Sequence, residues 1–444
     1  LNDVLAKIPG EYIRGLLEKQ HFYLCRYQTS ARLINYRRFL DVNSLIAIRQ
    51  EVNEVFDETH KAIVDLIRQE MITGLRIDHI DGIAYPHTYL RKLRQIVGDI
   101  YIIVEKILAY GEHLPQGWSV QGTTGYDFLN MVNGLFLQKS NATRLVEVCR
   151  RFTDDGGYSN PVECKKIVLE RYLLGDVRRV LRKVYPQGPK EFDGIERAFI
   201  ELLSRIPVYR TYLMDPERGK DDRSLLRTCL KELRLEFPEL EDEINLLETW
   251  LGLDESSHAD THSAEFIVTF EQFLPAVIAK GVEDTFLYRH LVLLSLNEVG
   301  GFPTRFGVEP EELHTFFAER EALYPHSLNA TSTHDTKRGE DIRARLNVLS
   351  EIPDEWEDNV TLWQKINSSK KIKAGSAYIP SPDVEYFLYQ TLVGAFPFSK
   401  KEIPEFRERI KSYMVKAIRE AKIRSDWLTP DARYEQALVQ FVDN

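Results

Sequence analysis

Apolar side chains at Val52, Val55, Phe56, Ile63, Leu66 and Ile67 recur every three to four positions and stop ahead of Gly74, the pattern of a helix with one buried face. The period then drops to two. Leu75 and Ile77 share one side of a predicted strand and Arg76 and Asp78 the other, so the acid arrives where the chain leaves the sheet. A second helix over 88–97 stops at Gly98, and the apolar run 100–104 predicts a second strand that delivers Glu105. Asp78 and Glu105 are 27 positions apart. That is the repeat length of a parallel βα unit, so both acids are expected at the same end of adjacent strands.

From Glu105 to Asp335 the chain runs 230 positions, far more than one further βα repeat uses. The stretch 139–255 is rich in Lys, Arg, Glu and Leu, with helical spacing at Ile167, Leu174, Val177 and Leu181 and again at Leu225, Leu226, Leu230 and Leu233. It reads as an inserted helical subdomain with solvated charged faces. Segment 254–263 reads as the polar linker leaving it; His258, Asp260 and His262 are the residues that a metal reading would use, and a linker fits their surroundings better. Beyond it, 275–281 predicts a short buried strand, 284–296 a helix, 297–303 a loop, 311–322 a helix, Thr331 to Asp335 a third acid-bearing strand and 338–349 the helix after that. The expected division is a barrel part over 1–127 carrying the strands of Asp78 and Glu105, a helical insertion over 128–262, a barrel part over 263–365 carrying Asp335, and a truncated helical segment over 366–444.

The 444 residues exceed one ordinary core, and 43% hydrophobic content supports a globular protein. A net charge of -10 argues against a nucleic-acid partner and fits a neutral substrate. Cys25, Cys149, Cys164 and Cys229 are scattered, no run of 18 apolar residues occurs and 1–20 lacks a signal-peptide layout; the expectation is reduced thiols in a cytoplasmic protein with no membrane partner. The chain starts at Leu1 and stops inside the amphipathic stretch 434–442, which reads as a piece of a longer protein.

Three acids at strand ends point to glycosidic chemistry. Retaining cleavage needs a carboxylate nucleophile and, about 5 Å away, a carboxyl that first protonates the leaving oxygen and then deprotonates the acceptor. A third carboxylate stabilises the oxocarbenium-like transition state. Arg76, on the same face as Asp78, would keep the nucleophile ionised. Taken singly, Glu105 reads as an ordinary strand-end acid, Asp335 as a helix N-cap and Asp78 with His79 as a structural pair. Their joint occurrence, in this order and spacing, favours the catalytic reading. Lys280, with Glu283 and Asp284, suits a sugar hydroxyl or an ion-pair loop equally, and Tyr126 suits a sugar-stacking ring or the core.

Gly74-Leu75-Arg76-Ile77-Asp78-His79, Val104-Glu105-Lys106 and Ser332-Thr333-His334-Asp335 resemble the α-amylase clan. Asn35-Tyr36-Arg37-Arg38-Phe39, Gly122-Thr123-Thr124-Gly125-Tyr126-Asp127-Phe128, Ala279-Lys280-Gly281-Val282-Glu283-Asp284-Thr285, Leu296-Asn297-Glu298-Val299-Gly300-Gly301 and Thr336-Lys337-Arg338 narrow the resemblance to the maltooligosyltrehalose synthases. The resemblance implies an α/β fold, a partial (β/α)8 TIM barrel of the α-amylase type with a large helical insertion. It implies Asp78 as nucleophile, Glu105 as acid/base and Asp335 as transition-state stabiliser, with Arg76, His79 and His334 lining the sugar sites; Lys280 and Tyr126 are added as candidate sugar contacts on their residue types, and no cofactor or metal is expected. The reaction implied converts the reducing-end α-1,4 linkage of a maltooligosaccharide to α,α-1,1 by retaining double displacement, in metabolic pairing with a maltooligosyltrehalose trehalohydrolase. Alternatives are an α-glucan hydrolase or branching enzyme of the same clan, or a non-catalytic glucan-binding module. The clan's Asp-x-x-x-Asn-His segment is not found before Asn35, so first and closing barrel strands are expected to be missing.

Overall fold

A computed structural model describes residues 9–154, 157, 159–185, 193–215, 218–254, 261–375 and 377–444. Its centre is a parallel sheet of three strands, β3 (Gly74–Ile77), β4 (Tyr101–Val104) and β5 (Gly122–Thr123), following an N-terminal antiparallel hairpin of β1 (Arg38–Phe39) and β2 (Val42–Ile46). The first two strands pair from Gly74 opposite Tyr101 to Ile77 opposite Val104, and β5 sets Gly122 and Thr123 against Ile103 and Val104. Helices Asn53–Arg68 and Pro86–Val97 form where expected. Pro86 starts the second without wasting a backbone donor, and Gly98, at φ 73°, ends it. Their apolar stripes, Phe56 and Val64 on one and Leu93 and Val97 on the other, close over Ile102, Leu75 and Ile77, covering one face of the sheet. The described residues form an arc of a (β/α) barrel, not a closed one.

After β5 the third acid-bearing segment departs from expectation. Residues 331–335 form no strand. Thr333 and Thr336 bond their own neighbourhood: Thr333 Oγ accepts from the Asp335 N–H at 3.2 Å, and Thr336 Oγ donates to the Thr333 carbonyl at 2.8 Å. These local bonds offer the backbone an alternative to a ladder. The residues leading into it nevertheless lie along β5, since the Leu328 N–H donates to the Thr123 carbonyl at 3.1 Å and Ser327 Oγ accepts the Thr123 N–H at 3.2 Å. Glycine makes this possible: a Cβ on Gly122 would come within 1.8 Å of Ser327 Oγ, and one on Gly125, at φ 91°, within 2.2 Å of the Leu328 carbonyl oxygen.

The expected strand at 275–281 is also overturned. Those residues finish the helix Thr261–Ile278 and enter a π-helical stretch, Ala279–Phe286. Phe266, Phe270, Phe273, Leu274 and Val277 bury one helical face, and a short apolar run does not by itself distinguish that from a buried strand. The helix expected over 284–296 stops at Arg289, and a short 3-10 turn, Leu294–Leu296, precedes the loop at 297–303. Helices Pro310–Leu323, Glu340–Asn347 and Ala432–Asp443 lie close to their expected places.

In its described residues, stretch 139–255 is a run of helices joined by short turns and by the non-helical segment 206–215, and Val168, Val177, Phe199, Leu226, Leu230 and Ile244 share one core with the Thr261–Ile278 helix. A second core joins helices Ala142–Phe152, Pro353–Asn367, Pro382–Ala395, Ile403–Ala421 and Ala432–Asp443. The N-terminal stretch is different: helix Gly10–Leu17 buries no residue, and Phe22, Tyr23, Leu24, Leu45 and Ile46 are exposed. His258 and Asp260 lie outside the described residues. Among the described residues no group of His, Cys, Asp and Glu is arranged for a metal, and no helix is long and apolar enough to cross a membrane.

Candidate active site

The parallel register carries Asp78 and Glu105 one residue past the paired ends of β3 and β4, side by side. Adjacent strand ends stand about 4.8 Å apart, the scale a retaining carboxyl pair requires. The Glu105 N–H donates to the Ile77 carbonyl at 2.7 Å. His79 then turns left-handed, at φ 47° and ψ 47°, and its N–H donates to Glu105 Oε2 at 2.6 Å. One turn therefore places Asp78 and holds its partner.

The two carboxyls have opposite surroundings. Asp78 is open to solvent and paired with Arg76, Oδ1 to Nη1 at 2.6 Å. Burial pushes Glu105 up to about 8, with Asp78 and Asp81 adding to the rise and the His79 N–H and Arg76 opposing it. An exposed acid paired with a cation beside a desolvated one is the arrangement that acid-assisted displacement needs.

Asp335 lies at the same end of the sheet. The Tyr101 hydroxyl, at the start of β4, donates to the His326 carbonyl, while Leu328 pairs with Thr123, at the end of β5. Residues 326 to 328 therefore run parallel to the strands, and the chain continues past their carboxyl ends. Tyr126 fixes the continuation, its hydroxyl 3.0 Å from Thr333 Oγ, and burial foremost, then Asp335 and Glu105, raise that phenol to about 12. Asp335 is exposed and meets His334 Nε2 at 2.8 Å. It does not cap the following helix, which begins at Glu340.

The other expected sugar contacts are placed less simply. His79 is half-buried and meets Phe39 edge-on, and burial lowers its imidazole pKa. Tyr126 is buried among Ile107, Val299 and Tyr209, so its ring offers no free face for stacking. Lys280 sits on the π-helical stretch, not in a loop, 3.0 Å from both Asp41 and Asp284, and although burial opposes it these carboxylates raise its pKa to about 12. A cavity of about 410 Å³ beside the site, lined by Tyr110, Asp127, Phe302, Arg305 and Phe316, includes none of the three acids.

A putative maltooligosyl trehalose synthase of Mycobacterium tuberculosis (strain CDC 1551 / Oshkosh) is 33% identical to this chain over 431 residues, 96% of it. The maltooligosyltrehalose synthase of Arthrobacter ramosus superposes with a TM-score of 0.84 at 32% identity over 97% of the chain, and a hypothetical synthase of Sulfolobus tokodaii with 0.77 at 33% over 98%. By sequence and by fold, the chain is similar to the maltooligosyltrehalose synthases. It spans about half the length of these relatives, 52% of the mycobacterial protein, 52% of the Arthrobacter chain and 53% of the Sulfolobus chain. No protein-family model matches it. The fold that these relatives share, the α-amylase-type barrel, accounts for the open arc.

Within this synthase-like frame one functional residue escaped the sequence reading except as part of a motif. Glu298 is buried and accepts from the N–H groups of Val299 at 3.0 Å, Lys337 at 2.6 Å and Arg338 at 3.1 Å, and from Arg343 Nη1 at 3.0 Å. It clamps the backbone two residues past Asp335. Lys337 joins Lys280 in a charged cluster, reaching Asp284 at 3.1 Å, and Tyr209 donates to Glu283 at 2.5 Å beside it. The signal that could have found Glu298 is an acid inside an otherwise apolar and glycine-rich stretch, 294–301.

Proposed function

We propose that the protein of which this chain is about half converts the reducing-end α-1,4 linkage of a maltooligosaccharide to α,α-1,1, ending the chain in a trehalose unit. Asp78 attacks the anomeric carbon as Glu105 protonates the leaving oxygen, giving a maltooligosyl ester and free glucose. The glucose is retained and reorients; Glu105, now a base, takes the proton of its anomeric hydroxyl, and that oxygen displaces Asp78. Asp335 stabilises the charge that develops in both steps, and Arg76, His79 and His334 line the sugar sites. Keeping water from the ester favours transfer over hydrolysis. A metabolic partner that hydrolyses trehalose-ended chains and a cytoplasmic location belong to the same proposal.

The observation that carries this reading is the contrast between Asp78, exposed and paired with Arg76, and Glu105, desolvated and held up to about 8, at neighbouring strand ends. The names of the relatives favour the mutase over a hydrolase or branching enzyme, and the intact acids weigh against a binding module. With maltopentaose the parent enzyme lowers the reducing-end count without shortening the chain and releases minor glucose. Shortened chains and glucose from the start make it a hydrolase.

A further inference from the structure

Glu105 and the turn that holds it are braced from behind by a buried ionic cluster whose other half comes from the helical insertion. Lys106 follows Glu105, and alternation sends its side chain to the opposite side, where it is fully buried with Nζ 2.9 Å from Asp81 Oδ2 and 3.2 Å from Glu112. Asp81 stands on the turn Ile80–Gly82, directly after the His79 whose N–H holds the Glu105 carboxyl. Its other oxygen accepts from the Tyr212 hydroxyl. Arg210, itself 1% exposed, donates to the carbonyls of Asp81 at 2.7 Å, Ala84 at 3.0 Å and Ile83, so that one guanidinium grips the whole turn.

The insertion and the helix Thr261–Ile278 anchor these two side chains in turn. Arg210 pairs with buried Glu271 at 3.3 Å, Glu271 accepts the Leu213 N–H at 2.6 Å, and Asp222 accepts the Tyr212 N–H at 2.7 Å. The cations of Lys106, Arg210 and Arg218 lie within 5.3 to 5.6 Å of the Tyr212 ring centre. Burial would raise the Asp81 pKa, yet Lys106, Tyr212 and Arg210 hold it below the ordinary carboxylate value.

A buried ion cluster of this kind gains little net stability over an apolar core, because desolvation consumes most of the attraction. What it supplies is fixed geometry. Both of its links to the sheet end on the same carboxyl: Lys106 is bonded to Glu105 along the chain, and the gripped turn carries the N–H that Glu105 accepts. We propose that Arg210 and Tyr212 are positioning residues, through which the inserted helical segment holds Glu105 in line with the leaving glycosidic oxygen. An acid displaced by about 1 Å loses on the order of a hundredfold in rate.

The proposal rests on Glu105 being the acid/base, and the test separates the two. In the full-length parent, Tyr212→Phe removes one hydroxyl and keeps the ring, and Arg210→Lys keeps the charge and loses the fork. Each is assayed on maltopentaose, whose leaving group needs a proton, and on α-maltosyl fluoride, whose leaving group does not. We expect kcat on maltopentaose to fall about tenfold with KM unchanged, and ester formation from the fluoride to fall less than threefold. Ile244→Val, buried in the insertion core on the helix Glu241–Trp250, which gives no residue to the cluster, serves as the packing control and should leave both rates as they are. Equal losses on both substrates, the same loss in Ile244→Val, or failure of both cluster variants to fold overturns the proposal. Failure of the reading beneath it shows separately, as a Glu105→Gln enzyme that keeps its rate on maltopentaose.

Discussion

Replacing Glu105 with Gln should stabilise the protein at alkaline pH, by an amount that follows from its surroundings. Burial holds this carboxyl up to about 8 in the folded state, against an ordinary value of 4.5. Between those values the folded state binds a proton that the unfolded state has released, so stability falls as pH rises through the window. Each pH unit is worth about 1.4 kcal/mol, so the full loss above pH 8 has a ceiling of about 5 kcal/mol. Glu105 retains some solvent contact, and water reaching it reduces this to about 2–3 kcal/mol. Gln keeps the shape and an oxygen for the His79 N–H but has nothing to ionise. The advantage of Glu105→Gln should therefore be near zero at pH 4.5, grow with pH and level off above about 8. Thermal unfolding midpoints of parent and variant across pH 4.5 to 9 read it directly. A difference that does not change with pH, or a variant less stable than the parent at pH 9, refutes the argument that Glu105 is desolvated for its task.

Glu298→Ala in the parent should leave buried Arg343 without its carboxylate partner and three backbone donors without their acceptor, at a cost of about 3–5 kcal/mol; chemical unfolding checks it, and a change under 1 kcal/mol contradicts the clamp. Gly125→Ala should place a methyl against the Leu328 carbonyl on a backbone that L residues rarely adopt, costing about 1–3 kcal/mol and displacing the segment of Asp335. Its activity should fall while substrate binding, measured calorimetrically, holds; unaltered activity contradicts the packing along β5 of the residues leading into that segment.

The strands of Asp78 and Glu105 were legible in the sequence because the evidence for them is local. Leu75 and Ile77 alternate with Arg76 and Asp78, two helical stripes flank them, and 27 positions separate the acids. Asp335 was legible as an acid but not as a strand end, because Thr333 and Thr336 satisfy their own backbone, a choice that depends on side-chain rotation. The strand expected at 275–281 failed for the opposite reason: Ala276, Val277 and Ile278 are apolar enough for a strand, and only the buried face reaching back to Phe266 shows the helix. Lys280 reads as a sugar ligand or an ion-pair member until Asp41, 239 positions earlier, is seen beside it. The grip of Arg210 on Asp81 spans 129 positions and involves residue types that sequence alone assigns to the surface. No periodicity marks such a pair.

The central claim is that Asp78 forms the covalent bond to the sugar while Glu105 handles the proton. It is tested most directly by trapping. The parent enzyme is incubated with 5-fluoro-α-glucosyl fluoride, which forms the ester faster than it is resolved, then digested and analysed by peptide mass spectrometry. We predict a fluoroglucosyl mass on the peptide containing Asp78, lost in Asp78→Ala and retained in Glu105→Gln. Label on Glu105 or Asp335 instead, or label that persists in Asp78→Ala, would contradict the account.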